Sequence, residues 1–539
     1  MKPFDQNGDF RPSAGRHDLR RTAVRGASVT VISQGIVFAV QTVATLSLAR
    51  LLTPMDFGIL AMVSTFSVVL MSVGQNGYAE AIMQREEMNE SLASNLFWIT
   101  FGIGTLLSLA FAACGPLLVR LYSNKLVAPV TVWMSLTIFI NSTSVVHVAL
   151  LKRALRFSLT STLNIISSIG SVVVSIVLAV MGWGYWALVV GAIVKPLFLS
   201  IGAWYQCPWI PSFPRRTPGT ASVVRFALNV YGRFSFDYCT RNTDNLLVGW
   251  RFGPASLGYY KKAYDLFVLP ANQLIIPVAD VVLSTLGKLK PKSIEYKTYF
   301  LRGLSILAFS GMAVGGILTL AGKDLIRVLL GAKWAPAGEI FVFFGPGIGI
   351  MLIYMTSGLL HLSIGRADRW LKWVAVEFTT TVLLFLLGLR WGPVGVASAW
   401  TASFCILLVP AFWFAGKPVA LSVGSVLATV WRYVLASLVA GLACVLVTRQ
   451  IPLFAGAADF LNASLRACTV SLLYLALYLG AIVLLYGGPQ PLYRFAQLLP
   501  DLLPGKRSRS SVDSPPEVAP SEASELSEEE SAVPETYRR

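Results

Sequence analysis

This chain of 539 residues is poor in charged residues. Only 13% of its residues are Asp, Glu, Lys or Arg, whereas soluble domains carry about 25%. Apolar residues make up 55% of the chain, and its mean hydropathy is +0.65. The charge-free run from Gly26 to Ala49 is long enough to cross a ~30 Å hydrocarbon core as a helix. Such runs recur along the chain and predict an all-α polytopic membrane protein with about 14 transmembrane helices.

Residue types that build metal and catalytic sites are also scarce. The three histidines, His17, His147 and His361, show no ligand spacing. The six cysteines stand singly without a CxxC pair, which favours structural cysteines over a metal or disulfide role. GxxxxGK[ST], HExxH and GxSxG motifs are absent, and the internal loops are too short for a catalytic domain. We therefore expect a carrier rather than an enzyme, with no metal and no cofactor.

The basic residues lie unevenly along the chain and give it a net charge of +17. With the N-terminus placed in the cytoplasm, most Lys and Arg fall on that side, in segments such as LKRALRF (151–157), GKLKPKSIEYK (287–297) and GRADRW (365–370). This is the positive-inside bias of a plasma-membrane protein. It predicts a multi-pass protein of the bacterial inner membrane with both termini cytoplasmic, and it accounts for the net charge without nucleic acid as a partner.

An internal repeat divides the predicted helices into two lobes around a central cavity. PMDFG at 54–58 matches PASLG at 254–258, and Trp-Gly at 183–184 matches Trp-Gly at 391–392 at nearly the same offset. A parallel repeat of this kind commonly places the substrate between its lobes. The predicted segments are a cytoplasmic N-terminal segment (1–25), an N-lobe of six helices (26–206), an inter-lobe loop (207–222), a C-lobe of six helices (223–416), two extra helices (417–487) and a disordered acidic cytoplasmic tail (505–539).

The seventh predicted span carries charges inside an otherwise apolar helix. At 100° per residue, Arg233, Asp237, Arg241 and Asp244 share an arc of about 80°, with Asn229 beside them. A charge at the bilayer centre costs about 2.5–3.5 kcal/mol, so these side chains are expected to face protein or a water-filled cavity. Their spacing also lets each charge meet an opposite one. A self-neutralised ladder that fixes the helix register is therefore the alternative to a substrate path.

Three further intramembrane charges are weaker candidates for the same cavity. Lys195 precedes a proline in the sixth span, and Asp280 and Glu377 are lone carboxylates in later spans. For each of them, a side chain that extends to the membrane surface is the alternative. The aromatic residues at 259–260 and Trp370 lie near predicted span ends and are interpreted as membrane-interface anchors rather than as sugar platforms.

Three stretches resemble a known transporter family. They are ARLLTPMDFGILAMVSTFSVVLMSVGQNGYAEAIMQR (49–85), LLKRALRF (150–157) and RNTDNLLVGWRFGPASLGYYKKAYDLFVLPANQL (241–274). Their joint pattern resembles the polysaccharide transporter family, or O-antigen/exopolysaccharide flippases, of the multidrug/oligosaccharidyl-lipid/polysaccharide exporter superfamily. The two extra spans are similar to those of lipid-linked peptidoglycan precursor flippases. The acidic tail is not part of the family pattern.

The resemblance implies a flippase that moves undecaprenyl-diphosphate-linked oligosaccharide units across the inner membrane by alternating access, for exopolysaccharide or O-antigen synthesis. It implies that Arg233 and Arg241 contact the diphosphate or acidic sugars, and that Asp237 and Asp244 orient them or titrate. Asn229 would offer hydrogen bonds to sugars. Proton or sodium coupling is left open.

Two other functions are compatible with the same residues. One is a cation-coupled exporter of drugs or metabolites from the same superfamily. The other is a membrane scaffold of a polysaccharide synthesis complex, which would hold polymerase or chain-length proteins through residues 505–539. Membrane lipids are expected partners in every case.

Overall fold

The structure is a computed structural model that describes residues 3–10, 19–73, 77–85, 88–215, 217, 219–450, 460–490 and 493. The predicted tail at 505–539 and His17 lie outside these residues. The described chain is helical apart from turns, loops and two isolated β-bridges near the N-terminus. Its helices are α1 (Leu19–Leu51), α2 (Pro54–Val73), α3 (Ala79–Gln84), α4 (Glu90–Ala113), α5 (Gly115–Tyr122), α6 (Val127–Ser142), α7 (Val145–Arg153), α8 (Phe157–Val180), α9 (Tyr185–Gln206), α10 (Thr220–Leu286), α11 (Ile294–Leu320), α12 (Gly322–Leu330), α13 (Ala335–Ser363), α14 (Ala367–Gly388), α15 (Gly392–Gly416), α16 (Val423–Gln450) and α17 (Phe460–Tyr486).

Twelve stretches among the described residues are long and apolar enough to cross a membrane. Two of them are much longer than one crossing requires: Tyr238–Leu286 has 49 residues and Asp368–Val419 has 52. The first belongs to a bent helix, and the second contains both α14 and α15. The predicted all-α polytopic fold is confirmed, whereas the count of about fourteen crossings stays a prediction.

Helix α10 consists of two arms that meet at a sharp bend. Gly253 has φ 79° and ψ −177°, a conformation that residues with a Cβ rarely adopt. Pro254 follows, and its ring holds φ near the helical value at a position where no backbone N–H is needed. A new helical arm therefore begins at Pro254. We call the two arms α10a (220–252) and α10b (254–286).

The internal repeat is visible in the backbone. The short helices α5 and α12 each follow a long helix, α4 or α11, after a single intervening residue. Gly184 (φ 56°, ψ −133°) and Gly392 (φ 73°, ψ −163°) form similar turns at the starts of α9 and α15. We call residues 19–206 the N-half and residues 220–416 the C-half, and their first helices begin a few residues before the predicted lobes.

The segments that precede and follow the N-half are packed onto it. Phe4 is buried, and its ring centroid lies 5.6 Å from that of Trp209. In the connection between the halves, the Asn95 amide nitrogen donates to the Arg215 carbonyl oxygen (2.6 Å), and its amide oxygen accepts from the Arg215 N–H (2.9 Å). These bonds fix the connection to α4 at Arg215, and α10a begins after Gly219, where φ is +89°.

The two helices that follow the C-half form part of its packing. Tyr474 and Tyr478 of α17 are fully buried. Their hydroxyl groups donate to backbone carbonyl oxygens of α11, those of Met312 (3.0 Å) and Phe309 (2.9 Å) respectively. Gly316 on α11 leaves the space that the Tyr474 ring occupies. These contacts attach α17 to α11 by specific hydrogen bonds as well as by apolar packing.

Candidate functional site

The residues of the predicted charged strip all lie on α10a, but their surroundings differ. The side chains of Asn229, Arg233 and Asp237 lie outside the described part of the structure. Arg241 lines a cavity, whereas Asp244 is only 1% exposed. The strip therefore divides near the bend of α10, where α10b packs beside α10a.

The cavity has a volume of about 120 Å³ and lies within the C-half. Its walls come from α10a, α10b, α13, α14 and α15. One water molecule needs ~10–15 Å³ of such space, so several water molecules or one larger polar group fit. Arg241 and Glu377 are the charged residues that line it, and α10a and α14 bring them to the same chamber from distant positions in the chain.

Hydrogen bonds from aromatic side chains orient the acidic side of the cavity. Trp373 Nε1 donates to the Tyr354 hydroxyl oxygen at 2.8 Å. The Tyr354 hydroxyl in turn donates to the Glu377 carboxylate, and Arg241 lies close enough to interact electrostatically with Tyr354. Three helices thus hold Glu377 and Arg241 in one polar group.

Aromatic rings form much of the remaining wall. The ring centroids of Trp400 and Phe404 are 4.6 Å apart, those of Tyr354 and Phe404 are 5.2 Å apart, and Tyr264 packs edge-on against Trp400 at 6.1 Å. Mutual packing restricts the rotation of these rings. Trp370 also lines this wall.

The interpretation of Tyr260 as a membrane-interface anchor is wrong, whereas that of Trp370 stays a prediction. Trp370 lies in the first turn of α14 with its ring against Gly358 of α13, within 3.7 Å of where a Cβ would stand. Tyr260 is fully buried. Nearness to a span end indicated an anchor, but the packing of neighbouring helices turns the Tyr260 side chain inward.

The structure also differs from the expectation that Asp244 faces a substrate path. Asp244 Oδ2 accepts a hydrogen bond from the Tyr260 hydroxyl at 2.8 Å, and Oδ1 accepts one from the Asn245 N–H at 2.7 Å. The carboxylate therefore joins α10a to α10b inside the bend. A helical wheel treats the helix as straight and places the whole charged strip on one face. Because the helix bends at Gly253, α10b covers the end of that face that carries Asp244.

Two weaker candidates lie away from the described cavity. Lys195 is half-buried on α9, beside Pro196 in the interior of that helix. Asp280 is exposed on α10b. Neither is among the residues that line the cavity with Arg241. No cluster of three or more potential metal ligands occurs in the described parts of the chain.

The repeated Pro-Gly motifs of the two halves pack against each other. A Cβ at Gly58 would overlap the backbone of Pro254, and a Cβ at Gly258 would overlap the backbone of Pro54. The N-terminal ends of α2 and α10b therefore cross in direct backbone contact, through a pair of equivalent interactions. Only glycine permits this approach, because any side chain would separate the two backbones.

A short segment of the C-half reinforces this contact by capping the end of α1. Lys333 Nζ donates to the carbonyl oxygens of Arg50 (2.8 Å) and Leu52 (2.6 Å), and Trp334 Nε1 donates to that of Ala49 (2.8 Å). The last carbonyls of a helix lack partners in their own helix, so a donor from the opposite half stabilises both sides. We call residues 49–58, 254–262 and 328–334 together the clasp.

Trp334 is the apolar centre of the clasp. It is fully buried, and its ring packs against Phe57 (5.5 Å between centroids) and Tyr259 (5.9 Å). The ammonium of Lys262 lies 4.2 Å from the centre of the Phe57 ring, a cation–π contact. Apolar, cationic and hydrogen-bonding contacts thus join the halves at one end of the molecule.

Sequence reasoning missed Trp334 and Lys333, and in the cavity it missed Trp373 and Trp400. One usable signal was Trp400, which lies well inside its span although tryptophan concentrates at membrane interfaces. Lys333 and Trp334 stand in a short segment between α12 and α13 without a distinguishing pattern. Their role depends on the opposite half of the chain.

Residues 47–339, more than half of the chain, match the family described as polysaccharide biosynthesis protein. The chain belongs to this family. The family resemblance predicted from the sequence is thereby confirmed.

Curated relatives of this polysaccharide biosynthesis protein come from several bacteria. The succinoglycan biosynthesis transport protein ExoT of Rhizobium meliloti (strain 1021) is 22% identical over 381 residues, which are 70% of this chain and 77% of ExoT. The teichuronic acid biosynthesis protein TuaB of Bacillus subtilis (strain 168) is 22% identical over 358 residues, 66% of this chain and 74% of TuaB.

Solved structures with the same fold are transporters. The lipid II flippase MurJ in its inward closed conformation superposes with a TM-score of 0.66 at 15% identity, covering 84% of this chain and 98% of MurJ. An inward-facing multidrug resistance MATE transporter has a TM-score of 0.57 at 12% identity, covering 72% of this chain and 98% of that one. These likenesses show that the present chain has the same fold as the two transporters.

Proposed function

We propose that this protein moves lipid-linked oligosaccharide units from the cytoplasmic to the periplasmic leaflet of the bacterial inner membrane. The observation that carries the proposal is a cavity with charged and polar walls inside the membrane-spanning helices of the C-half. Polar groups at membrane depth are costly unless they face protein or water. The family supports a cargo of polysaccharide synthesis, and the names of ExoT and TuaB refer to polymers of this kind.

The proposed substrate is an oligosaccharide linked through diphosphate to undecaprenol. Its sugars and diphosphate require a hydrated polar path, while the polyprenyl chain can stay in the bilayer. In the proposal, Arg233 and Arg241 face the diphosphate or the sugars, because the guanidinium fork suits phosphate and carboxylate oxygens. Asn229 and Asp237 extend the path along α10a, and Lys195 and Asp280 remain proposed contributors.

The clasp serves as the periplasmic closure in this proposal. With both termini in the cytoplasm, the turn between α1 and α2 lies on the periplasmic side, together with residues 254–262 and 328–334. Alternating access requires that this end open after the substrate has entered from the other side. In this proposal, a proton or sodium gradient supplies the driving force for that cycle.

Transport of a labelled lipid-linked oligosaccharide in proteoliposomes tests the proposal. We expect wild-type protein to move the labelled headgroup across the bilayer, and Arg241→Ala and Arg233→Ala to lose at least ~90% of the initial rate while inserting normally. That loss corresponds to about 1.4 kcal/mol or more of substrate or transition-state interaction. Arg390→Ala is the control for Arg241→Ala, since Arg390 is exposed and absent from the cavity wall.

Two results would contradict the proposal. The first is no headgroup movement by wild-type protein with either a proton or a sodium gradient, and the second is wild-type rates in both arginine variants. Drug efflux without any defect in surface polysaccharide on deletion would instead support the exporter alternative. Deletion of residues 505–539 tests the scaffold alternative, because a carrier keeps its transport rate without a docking segment.

A further inference from the structure

We infer that the C-half cavity binds an uncharged sugar residue of the transported oligosaccharide, and that the diphosphate is held elsewhere along the path. This inference rests on the proposed function and specifies which part of the substrate the described cavity recognises. Arg241 alone would suggest a phosphate site. Its surroundings favour a different ligand for three independent reasons: charge balance, ring surfaces and hydrogen-bonding groups.

The charge balance of the cavity disfavours a diphosphate. Arg241 and Glu377 carry opposite charges, and no other charged residue lines the cavity as the structure describes it. Tyr354 hydrogen-bonds to Glu377 and experiences the charge of Arg241, so both ionic groups belong to one oriented set. A diphosphate bound here would meet one cation and one carboxylate, and the carboxylate would repel it. A neutral ligand can accept from the guanidinium and donate to the carboxylate at the same time.

The ring surfaces suit the apolar face of a sugar. Tyr264 and Trp370 both line the cavity and are half-buried, so part of each ring surface borders the open space. Behind Tyr264, Trp400 is held by Phe404 at 4.6 Å. A sugar ring presents C–H groups on its faces and hydroxyl groups at its edge. Flat aromatic walls therefore cover the faces, and such preorganised rings lose little conformational freedom on binding.

Uncommitted hydrogen-bonding groups lie between these rings. Asn272, Ser357 and Thr381 line the cavity, and none of their side chains makes a hydrogen bond to another residue within the described chain. Ser357 and Thr381 are 5% and 8% exposed, so their hydroxyl groups lie at the wall of the cavity rather than on the outside of the molecule. Sugar hydroxyl groups both donate and accept, and they match this mixture of amide and hydroxyl groups.

Saturation-transfer NMR on the purified protein in nanodiscs tests the inference directly. The probe is the neutral oligosaccharide mixture released by mild acid from the surface polysaccharide of the source cells, with inorganic pyrophosphate as competitor. We expect saturation transfer to the sugars, no competition by pyrophosphate at equal concentration, and weaker binding by about fivefold or more in Trp370→Leu and Thr381→Val. Matched controls are Trp413→Leu on α15, at a residue 57% exposed, and Thr379→Val, at an exposed residue of α14.

The outcomes separate the inference from the proposed function. Displacement of the sugars by pyrophosphate, no sugar binding by wild-type protein, or unchanged binding in both cavity variants would overturn the sugar site even if proteoliposome transport succeeds. Sugar binding that the cavity variants weaken and the controls do not would support the site. Sugar binding with no transport of the lipid-linked substrate would leave the sugar site in place and refute the flippase proposal.

Discussion

Gly58 in the N-half and Pro254 in the C-half touch backbone to backbone, and Gly258 and Pro54 repeat that contact with the roles of the halves exchanged. Both members of each pair come from the same repeated motif. The motif thus does two things: its proline starts a helix after a turn, and its glycine lets that helix approach its counterpart. The repeat in the sequence is, in space, an interface between the two halves.

Gly58→Ala is expected to prevent close approach at the clasp. An added methyl group would overlap the Pro254 carbonyl. Overpacking of this kind typically costs about 1–3 kcal/mol, and here it would destabilise the closed state of the clasp. Transport should fall by about tenfold while the protein still inserts, measured as headgroup movement in proteoliposomes. Gly102→Ala is the matched control, because nothing lies within 4 Å of a Cβ at that position. A wild-type rate in Gly58→Ala would show that the contact is not needed for transport.

Trp334→Phe should open the clasp without removing its apolar packing. The change keeps a ring beside Phe57 but removes the N–H that Ala49 accepts, which costs about 1–3 kcal/mol for an unpaired buried carbonyl. Spin labels at two exposed positions, Lys125→Cys in the turn after α5 and Lys323→Cys in the first turn of α12, should report a larger fraction of long distances. An unchanged distance distribution would contradict the assigned role of Trp334.

Spin labelling for that distance measurement requires replacement of the exposed cysteines only. The exposed natural cysteines, which must be changed to serine, are Cys114, Cys239, Cys405 and Cys468. Cys207 is buried, and burial raises the pKa of its thiol to about 11. Because the thiolate is the reactive form, Cys207 should stay unlabelled near pH 7.5, as mass spectrometry of the labelled protein can verify. Rapid labelling of Cys207 at that pH would show that the segment after α9 opens readily.

Asp244 should tolerate loss of its charge but not loss of its hydrogen bonds. Asn at this position keeps an oxygen that can accept from the Tyr260 hydroxyl, so Asp244→Asn is expected to retain transport within about twofold. Asp244→Leu leaves that hydroxyl without its buried partner, at a cost of about 1–3 kcal/mol, and should lower the yield of folded protein in size-exclusion chromatography. Loss of transport in a well-folded Asp244→Asn protein would restore a role for the charge itself.

Tyr474→Phe should loosen the attachment of α17 to α11. The change removes a hydroxyl that donates to the Met312 carbonyl and pairs with Ser437 at 2.8 Å, which should destabilise the protein by about 1 kcal/mol. We expect the Tyr474→Phe protein to have a lower melting temperature in detergent than the wild-type protein. Tyr205→Phe is the control, since Tyr205 is 81% exposed and its hydroxyl makes no described hydrogen bond. Equal melting temperatures for the two variants would contradict a stabilising role of this hydroxyl.

Asn95→Leu should release the connection between the halves from α4. The leucine is close in size but cannot pair with either backbone group of Arg215. Limited trypsin digestion should then cleave after Arg215 at least about fivefold faster, consistent with a lost pair of hydrogen bonds. Cleavage in the loop at 287–293 provides the internal control and should keep its rate. Equal cleavage after Arg215 in both proteins would show that Asn95 does not hold the connection.

The extent to which the candidate site could be foreseen differs from residue to residue. Arg241 and Glu377 were found because a charge in an apolar span is rare and costly, and both line the cavity. Asp244 satisfied the same criterion, yet it is a buried hydrogen-bond acceptor. The cost of a buried charge indicates that it must have a partner, but it does not say whether that partner is a tyrosine of the next helix or a substrate.

By itself the amino-acid sequence determined that this chain is a bundle of membrane-spanning helices with an internal repeat, because hydropathy and the Pro-Gly turns act over a few neighbouring residues. Tertiary structure alone decided that the clasp joins Trp334 to the end of α1, and that Trp370, Trp400 and Arg241 border one cavity. Helices that are apolar on most sides carry little information about which face meets which neighbour. That choice depends on shape and on hydrogen bonds between residues far apart in the chain.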